Sequence, residues 1–163
     1  MTVSGSDIPP CLIFIAKDGR WYHKGAEMIH RDFIRLFYKN MKIDSTGQYV
    51  IDWNGTLCFV EVEDTAFVIW GIEYQEKTEE KGACFLIRLS DDTQEELAPE
   101  TLSVAEDNVM YCMVKENSFP ARFNRPAYYQ LAEYIQQEKG VYYLPISGKK
   151  YPILMRREKT RPS

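Results

Sequence analysis

Two stretches of the sequence, Gly47-Gln48-Tyr49-Val50-Ile51-Asp52-Trp53-Asn54-Gly55 and Gly140-Val141-Tyr142-Tyr143-Leu144-Pro145-Ile146-Ser147-Gly148, decide the expected fold. When one is placed over the other without a gap, the first Gly, the Tyr and the final Gly coincide. Each stretch is an apolar run followed by a turn whose glycine permits positive φ, as a tight hairpin requires. Both stretches therefore predict a strand that turns back on itself at the final glycine.

A helix is expected before each stretch. Apolar Phe33, Leu36, Phe37 and Met41, together with Asn40, follow helical spacing and predict a helix near residues 31–42. The later stretch is preceded by residues that favour a capped helix ending at the next glycine. These residues are the cap Asn124, Pro126 in the first turn, the inward stripe Tyr128, Leu131, Ala132 and Ile135, and the terminator Gly140.

The two halves therefore suggest an internal repeat of one helix and one hairpin. When the loop between the helix and the stretch is shortened by two residues, the first helix aligns with the second. Phe33, Leu36 and Phe37 then align with positions 128, 131 and 132. Such a unit cannot bury its apolar face alone, so two copies are expected to share a core. The alternative is coincidence, because Gly turns and Tyr-rich strands are common.

The rest of the chain is predicted to be mainly strand, which gives an α+β fold rich in antiparallel sheet. A first hairpin is expected around Lys17-Asp18-Gly19, between residues 11–16 and 20–23. The predicted domain organisation is an N-terminal arm, a first lobe, a second lobe and a basic tail. The predicted strands are 48–53, 56–63, 67–74, 83–89, 108–115, 141–146 and 151–155, and the predicted domains are 1–10, 11–82, 83–155 and 156–163.

Composition excludes several classes of protein. The chain has 163 residues, 45% hydrophobic and 27% charged, which is the balance of a globular protein rather than a disordered one. Its longest apolar runs are too short to cross a bilayer, and residues 1–7 lack the features of a secretory signal. Four cysteines are scattered without close pairing, which suits a reducing cytoplasm: Cys11, Cys58, Cys84 and Cys112. Of these, the last three lie in apolar strands and are interpreted as buried small hydrophobes.

Charge is unevenly distributed within a net charge of -4. Residues 76–107 hold 3 basic and 10 acidic side chains, whereas residues 108–163 hold 10 basic and 4 acidic ones. A basic region can attract an anion. A pI of 5.3 does not support binding of a nucleic acid polymer, so the expected partner is a small anionic ligand.

Arg122 and Arg125 are the leading candidates for binding that anion. They precede a helix start, where backbone donors and the helix dipole favour negative charge, and a guanidinium grips phosphate or carboxylate through two hydrogen bonds. The alternative is a salt bridge from one arginine to Glu63 or Asp64. The adjacent carboxylates of Glu63 and Asp64 could serve as acid and base, but neighbours on a strand point to opposite sides and do not converge on one atom.

Aromatic side chains offer stacking surfaces for a ring-bearing ligand. Trp21, beside a hairpin turn, is the best such candidate, with Tyr129 as a second; the alternative for both is a place in the core. His23 and His30 lie seven residues apart with no cysteine nearby, so no metal site is expected.

An ordered set of residues resembles a known bacterial family. The match runs from Ile13 to Ile153, and its motifs are Asp18-Gly19-Arg20-Trp21, Leu36-Phe37, Gly47-Gln48-Tyr49, Val62-Glu63-Asp64-Thr65-Ala66-Phe67, Ala121-Arg122 with Arg125, Tyr128-Tyr129-Gln130-Leu131, and Ser147-Gly148 before Tyr151. Together they resemble the family called domain of unknown function 1285. In that family Pro usually follows the acidic pair, whereas this chain has Thr65-Ala66 at this point. The closing turn of this chain also lacks one residue that the family often has.

The resemblance implies a duplicated α+β core whose C-terminal half is superficially like a pleckstrin-homology fold. It also implies a ligand site between the halves, suited to something nucleotide-like, and a role in signalling with a possible protein partner. The expected function is thus a non-enzymatic cytoplasmic module for a small anionic ligand, without cofactor, metal or membrane. Two alternatives are an interaction adaptor that uses loop 75–82, and an enzyme that uses Glu63 and Asp64. The candidate ligand-binding residues are Arg122, Arg125, Trp21, Glu63, Asp64, Tyr129 and Ser147.

Overall fold

The computed structural model of the chain describes residues 8–156. Two helices and sixteen strands lie within those residues, so the predicted α+β class is confirmed. The chain divides into two compact units, the first ending at Ala66 and the second beginning at Phe67. Both helices are short, with nine and eight residues, and no helix among residues 8–156 qualifies as a membrane span.

The first unit is a six-stranded sheet with one helix, α1. Its strands lie in the order β3-β2-β1-β6-β5-β4, and all neighbours are antiparallel except β1 and β6. The elements are β1 (Pro10–Ile15), β2 (Trp21–His23), β3 (Ala26–Glu27), α1 (Arg31–Lys39), β4 (Met41–Ile43), β5 (Tyr49–Trp53) and β6 (Thr56–Val62).

The second unit contains a seven-stranded sheet, a separate three-stranded sheet and the helix α2. The large sheet has the order β16-β10-β11-β12-β7-β8-β9, and the small one has the order β13-β14-β15. The elements are β7 (Phe67–Gln75), β8 (Cys84–Leu89), β9 (Gln94–Glu96), β10 (Ser103–Ala105), β11 (Met110–Val114), β12 (Phe119–Phe123), α2 (Arg125–Ala132), β13 (Gln136–Glu138), β14 (Val141–Ile146), β15 (Lys149–Pro152) and β16 (Leu154–Arg156), with a short 3-10 helix at Pro99–Thr101.

The predicted hairpins form where the turn chemistry indicated them. β5 and β6 pair around Asn54-Gly55, and β14 and β15 pair around Ser147-Gly148. Both residues of each turn have positive φ, at 53° and 84° in the first turn and 50° and 80° in the second. Positive φ at both central positions matches the strand twist, which is why these two-residue turns favour hairpins.

The element order of the predicted repeat occurs in both units, since a helix is followed by three antiparallel strands in each. The alignment of the helices differs from the prediction. The buried helix positions are Ile34 and Tyr38 in α1, and Ala127 and Leu131 in α2. These pairs are separated by 93 residues, as are the glycines of the hairpins, so the repeat needs no shortened loop.

Both helices are shorter than predicted. Residues 41–43 form β4 rather than the last turn of α1, because they pair with β5. The second helix ends at Ala132, and Gly140 with Lys139 makes a hairpin turn between β13 and β14, with φ of 80° and 52°. The apolar stripe of α1 was also misassigned, since Phe33 is 55% exposed and Leu36 is 38% exposed.

The unit boundary lies at residues 66/67 rather than at 82/83, because β7 and β8 pair along their length across the predicted boundary. Most of the predicted arm and tail, residues 1–7 and 157–163, lies outside the described residues. Within those residues, Pro10 begins β1 and Arg156 ends β16, so both positions belong to the sheets.

The cysteines depart from the expectation. Cys11 and Cys58 form a disulfide between β1 and β6, with 5.0 Å between their Cα atoms. Cys58 is therefore not a free buried thiol, whereas Cys84 and Cys112 are free and buried as predicted. The argument for a reducing compartment from cysteine spacing no longer holds, and the cytoplasmic location stays a prediction.

Candidate functional site

The two candidate arginines lie on either side of the junction between β12 and α2. Arg122 pairs with Tyr111 of β11, and Phe123 is the next residue along β12. Because successive strand residues point to opposite faces, Arg122 lies on the face opposite to Phe123 and Met110. Arg125 begins α2 beyond the end of the strand.

Asn124 caps α2 as predicted. Its side-chain oxygen accepts a hydrogen bond from the Ala127 N–H at 2.9 Å, and its carbonyl accepts one from the Tyr128 N–H at 2.9 Å. Pro126 has no N–H to offer. Since the first-turn donors are largely used by the cap, recognition of an anion here depends on the Arg125 side chain rather than on the helix start itself.

The Arg125 guanidinium is exposed and lies over an aromatic ring. Its central carbon is 5.7 Å from the centroid of the Tyr128 ring, and one terminal nitrogen donates to the carbonyl oxygen of Asn108 at 3.4 Å. The hydrogen bond is long, so the guanidinium is positioned mainly by the ring. Because Arg125 is exposed, the donors that this hydrogen bond does not use are accessible to an anion.

Beside this arginine lies a pocket of about 280 Å³. Its wall is formed by α2, by strands of the large sheet and by β14, and it is largely apolar. Tyr128 and Asn108, the two partners of Arg125, both line it. The lining residues are Val104, Asn108, Met110, Tyr128, Ala132, Ile135, Tyr142, Ile153 and Met155.

Tyr129 and Ser147, two further candidates in the second unit, lie elsewhere. Tyr129 is 62% exposed, and its ring is 5.5 Å from that of Tyr128, but it does not line the pocket. The Ser147 hydroxyl accepts a hydrogen bond from the Ala83 N–H at 3.2 Å. Ser147 thus ties the β14–β15 turn to the start of β8, which is a structural role.

Trp21 is part of the core of the first unit. Its side chain is 1% exposed, and its ring stacks with Phe37 at 6.2 Å and meets Tyr38 edge-on at 4.8 Å. A ligand would find no open face on this ring. The alternative interpretation of Trp21 as a core residue is the one that agrees with its burial.

Glu63 and Asp64 follow the end of β6 in a bend. The Glu63 carboxylate accepts a hydrogen bond from the Lys17 N–H at 2.9 Å, which holds the β1–β2 turn against the end of β6. Asp64 is half-buried beside it. Among residues 8–156, no group of three His, Cys, Asp or Glu side chains is arranged to hold a metal ion.

The pocket was missed in the sequence because its lining comes from separate elements. Helical spacing predicts Tyr128 as part of the inward stripe of the helix, whereas Tyr128 lines the pocket and its ring contacts Arg125. Asn108 has a φ of 62° and sits in the turn between β10 and β11. An Asp-Asn pair does predict such a turn, but no local signal connects that turn with the start of α2.

Comparison with known proteins gives a likeness of fold. No protein-family model matches the sequence, and no curated protein matches it significantly. A DUF1285 family protein from Silicibacter pomeroyi DSS-3 superposes with a TM-score of 0.73 at 17% identity, over 93% of this chain and 87% of that one. A DUF1285 family protein from Shewanella baltica OS155 superposes with a TM-score of 0.60 at 18% identity, over 75% of this chain and 91% of that one.

Identities of 17% and 18% establish the fold alone. The resemblance to the family called domain of unknown function 1285 is therefore confirmed at the level of the fold.

Proposed function

We propose that the protein is a ligand-binding module whose second unit takes a small anionic ligand with a flat ring. The observation that carries this proposal is the Arg125–Tyr128 pair at the edge of an apolar pocket. The ring of the ligand would enter the pocket, and its anionic group would bind the Arg125 guanidinium. A nucleobase with its phosphate has this combination of groups, and so does an aromatic carboxylate.

The size and lining of the pocket support a ligand of this kind. At about 280 Å³ the pocket lies near the lower limit for small-molecule sites, so it suits one ring system. Apolar side chains supply most of the lining, and Tyr128 offers an aromatic face against which a ring can pack. Asn108 and the tyrosines add polar groups to the lining, and these can fix the orientation of the ring.

The charges near the pocket indicate that binding of an anion there depends on Arg125. Residues 108–163 carry 10 basic and 4 acidic side chains, which favours an anion in this part of the chain. The turn that holds Asn108 also contains Glu106 and Asp107, both exposed, which weaken that attraction. A guanidinium at the pocket edge can still bind phosphate or carboxylate through two parallel hydrogen bonds.

The test is a thermal-shift titration with nucleoside monophosphates and with aromatic carboxylates. A ligand that binds the native state raises the Tm, and the shift grows with concentration. We expect Arg125→Ala to weaken binding at least about tenfold, since a hydrogen bond to a charged group contributes about 1.5–3 kcal/mol. Tyr128→Ala should weaken it as well, because it removes a wall of the pocket.

Matched controls separate this site from a general charge effect. Arg88→Ala removes an exposed arginine from β8, three strands away from β11 in the same sheet, and should leave binding unchanged. Tyr129→Ala removes the neighbouring tyrosine that does not line the pocket and should also bind normally. Equal losses in Arg88→Ala and Arg125→Ala, or no stabilisation at millimolar concentration by any compound of either class, would contradict the proposal.

A further inference from the structure

β1 carries an irregular segment where it pairs with β6 in the first unit. Pro10 pairs with Phe59 and Phe14 pairs with Glu61, so β1 has two more residues than β6 over this interval. Leu12, in the middle of the segment, has a φ of 64° and a side chain that is 51% exposed. A leucine rarely adopts positive φ, so something outside Leu12 must hold this bulge in place.

The Cys11–Cys58 disulfide is the covalent bond at this bulge. Cys11 immediately precedes Leu12, and Cys58 immediately precedes Phe59 on β6. The bond therefore fastens the bulge to the strand whose register it disrupts. The Lys24 N–H also donates to the Leu12 carbonyl at 3.0 Å, but that contact ties Leu12 to the turn after β2 and not to β6.

The disulfide can be reached from outside. Both half-cystines are partly exposed, and both line a pocket of about 340 Å³ within the first unit. His23, Trp53 and Thr56, three exposed residues, also line it, so the pocket opens to the surface. A small thiol that enters this pocket would reach the two half-cystines.

The other two cysteines are unsuited to the same chemistry. Cys84 is 7% exposed and Cys112 is 2% exposed, and burial raises the pKa of both thiols. Thiol–disulfide exchange proceeds through the thiolate, which burial suppresses. The four cysteines, all among the described residues, thus divide into one accessible pair and two inert thiols.

We propose that Cys11–Cys58 is a site of reversible thiol–disulfide exchange with small dithiols, and that opening it releases the bulge of β1. A thiolate of the dithiol attacks one sulfur of the pair, so a mixed disulfide forms as the Cys11–Cys58 bond breaks. The departing thiolate takes a proton from water. The second thiol of the dithiol then displaces the protein sulfur, and the products are two protein thiols and the cyclic disulfide of the reagent.

The site is separate from the pocket beside Arg125 and does not depend on the function proposed for it. With the bond intact, Leu12 is kept in a left-handed conformation, and Cys11 and Cys58 form part of the pocket wall. With the bond open, the extra residues of β1 can leave that conformation. The rest of the sheet keeps its backbone pairing, because β1 is also bonded to β2.

The experiment treats the native protein with dithiothreitol, alkylates it with N-ethylmaleimide and locates the label by peptide mass spectrometry. We expect label at Cys11 and Cys58, at least about tenfold faster than at Cys84 and Cys112. Hydrogen exchange of the reduced protein should rise at residues 10–14 and 57–60, and not in the second unit. Oxidised glutathione should restore both the bond and the protection.

Two variants keep the result interpretable. Cys84→Ala/Cys112→Ala retains only the pair and should be reduced at the same rate as the wild type. Cys11→Ser/Cys58→Ser should show the exchange pattern of the reduced wild type without any reagent, and the wild-type labelling decides the question even where that variant does not fold. The proposal is overturned if Cys11 and Cys58 are reduced no faster than the first unit of the oxidised protein unfolds, if all four cysteines are labelled at similar rates, or if reduction leaves exchange at the bulge unchanged.

Discussion

The two repeats use the same order of elements in different surroundings. In the first unit, α1 is followed by β4, β5 and β6, and β6 continues into the sheet by pairing in parallel with β1. In the second unit, α2 is followed by β13, β14 and β15, which form a sheet of three strands. The local pattern thus specifies the helix and the hairpins, whereas the neighbouring strands decide what each repeat is joined to.

The two repeats also place their aromatic side chains differently. The first repeat places aromatic rings in its core and is fastened to β1 through the Cys11–Cys58 disulfide. The second places Tyr128 of α2 and Tyr142 of β14 around a pocket, with Arg125 beside it.

The largest effects should come from buried aliphatic positions of the two helices. Ile34→Ala and Leu131→Ala each remove a side chain that is at most 1% exposed, and each should lower the free energy of unfolding by about 2–5 kcal/mol. Denaturant titration measures this loss. Phe33→Ala, at an exposed position, should cost about 0.5 kcal/mol or less. A loss at Phe33 as large as that at Ile34 would mean that Phe33 is a core position, as the sequence alignment of the two helices predicts.

Removal of the disulfide should affect one unit only. Cys11→Ser/Cys58→Ser opens a loop of 47 residues and should destabilise the first unit by about 2–4 kcal/mol, because the unfolded chain gains freedom. Hydrogen exchange followed by mass spectrometry reports each unit separately. An equal loss of protection in the second unit would show that the stability of both units depends on the disulfide.

The helix caps should respond in opposite directions. Asn124→Ala removes the side-chain cap of α2 and should cost about 1 kcal/mol. His30, the N-cap residue before α1, makes no side-chain cap hydrogen bond, so His30→Asp should raise stability by about 0.5 kcal/mol. Both changes are measured as shifts in Tm. A lower Tm in both variants would contradict the prediction for His30 and would show that its imidazole stabilises the folded protein.

The smallest effect concerns the turns before the hairpins. Hydrogen bonds from Thr46 and Gln48 lower the pKa of Asp44 in the first repeat, and the turn at Lys139-Gly140 has no such carboxylate. Because the folded-state pKa is depressed, the stabilisation is present above the ordinary pKa and is lost as pH falls through the depressed value. Asp44→Asn should therefore be less stable than the wild type at pH 7 and equally stable near pH 2. A stability difference between Asp44→Asn and the wild type that stays constant between pH 7 and about pH 2 would contradict this prediction.

The hairpins were predictable because their signal is local. Asn54-Gly55 and Ser147-Gly148 carry the positive φ that the turn needs, and no distant residue is required. The end of α2 was not predictable, because residues 136–138 become a strand only by pairing with β14. The disulfide and the pocket beside Arg125 join residues far apart in the sequence, and such contacts leave no periodicity to detect.

Binding at the pocket beside Arg125 and Tyr128 can be followed residue by residue by NMR titration of the isotope-labelled protein with adenosine monophosphate and with a simple aromatic carboxylate. We expect saturable chemical-shift changes at Asn108, Met110, Arg125 and Tyr128 with at least one of these compounds, and an apparent Kd at least about tenfold higher in Arg125→Ala. Shifts confined to other parts of the chain, or no shifts with either compound, would contradict the proposal.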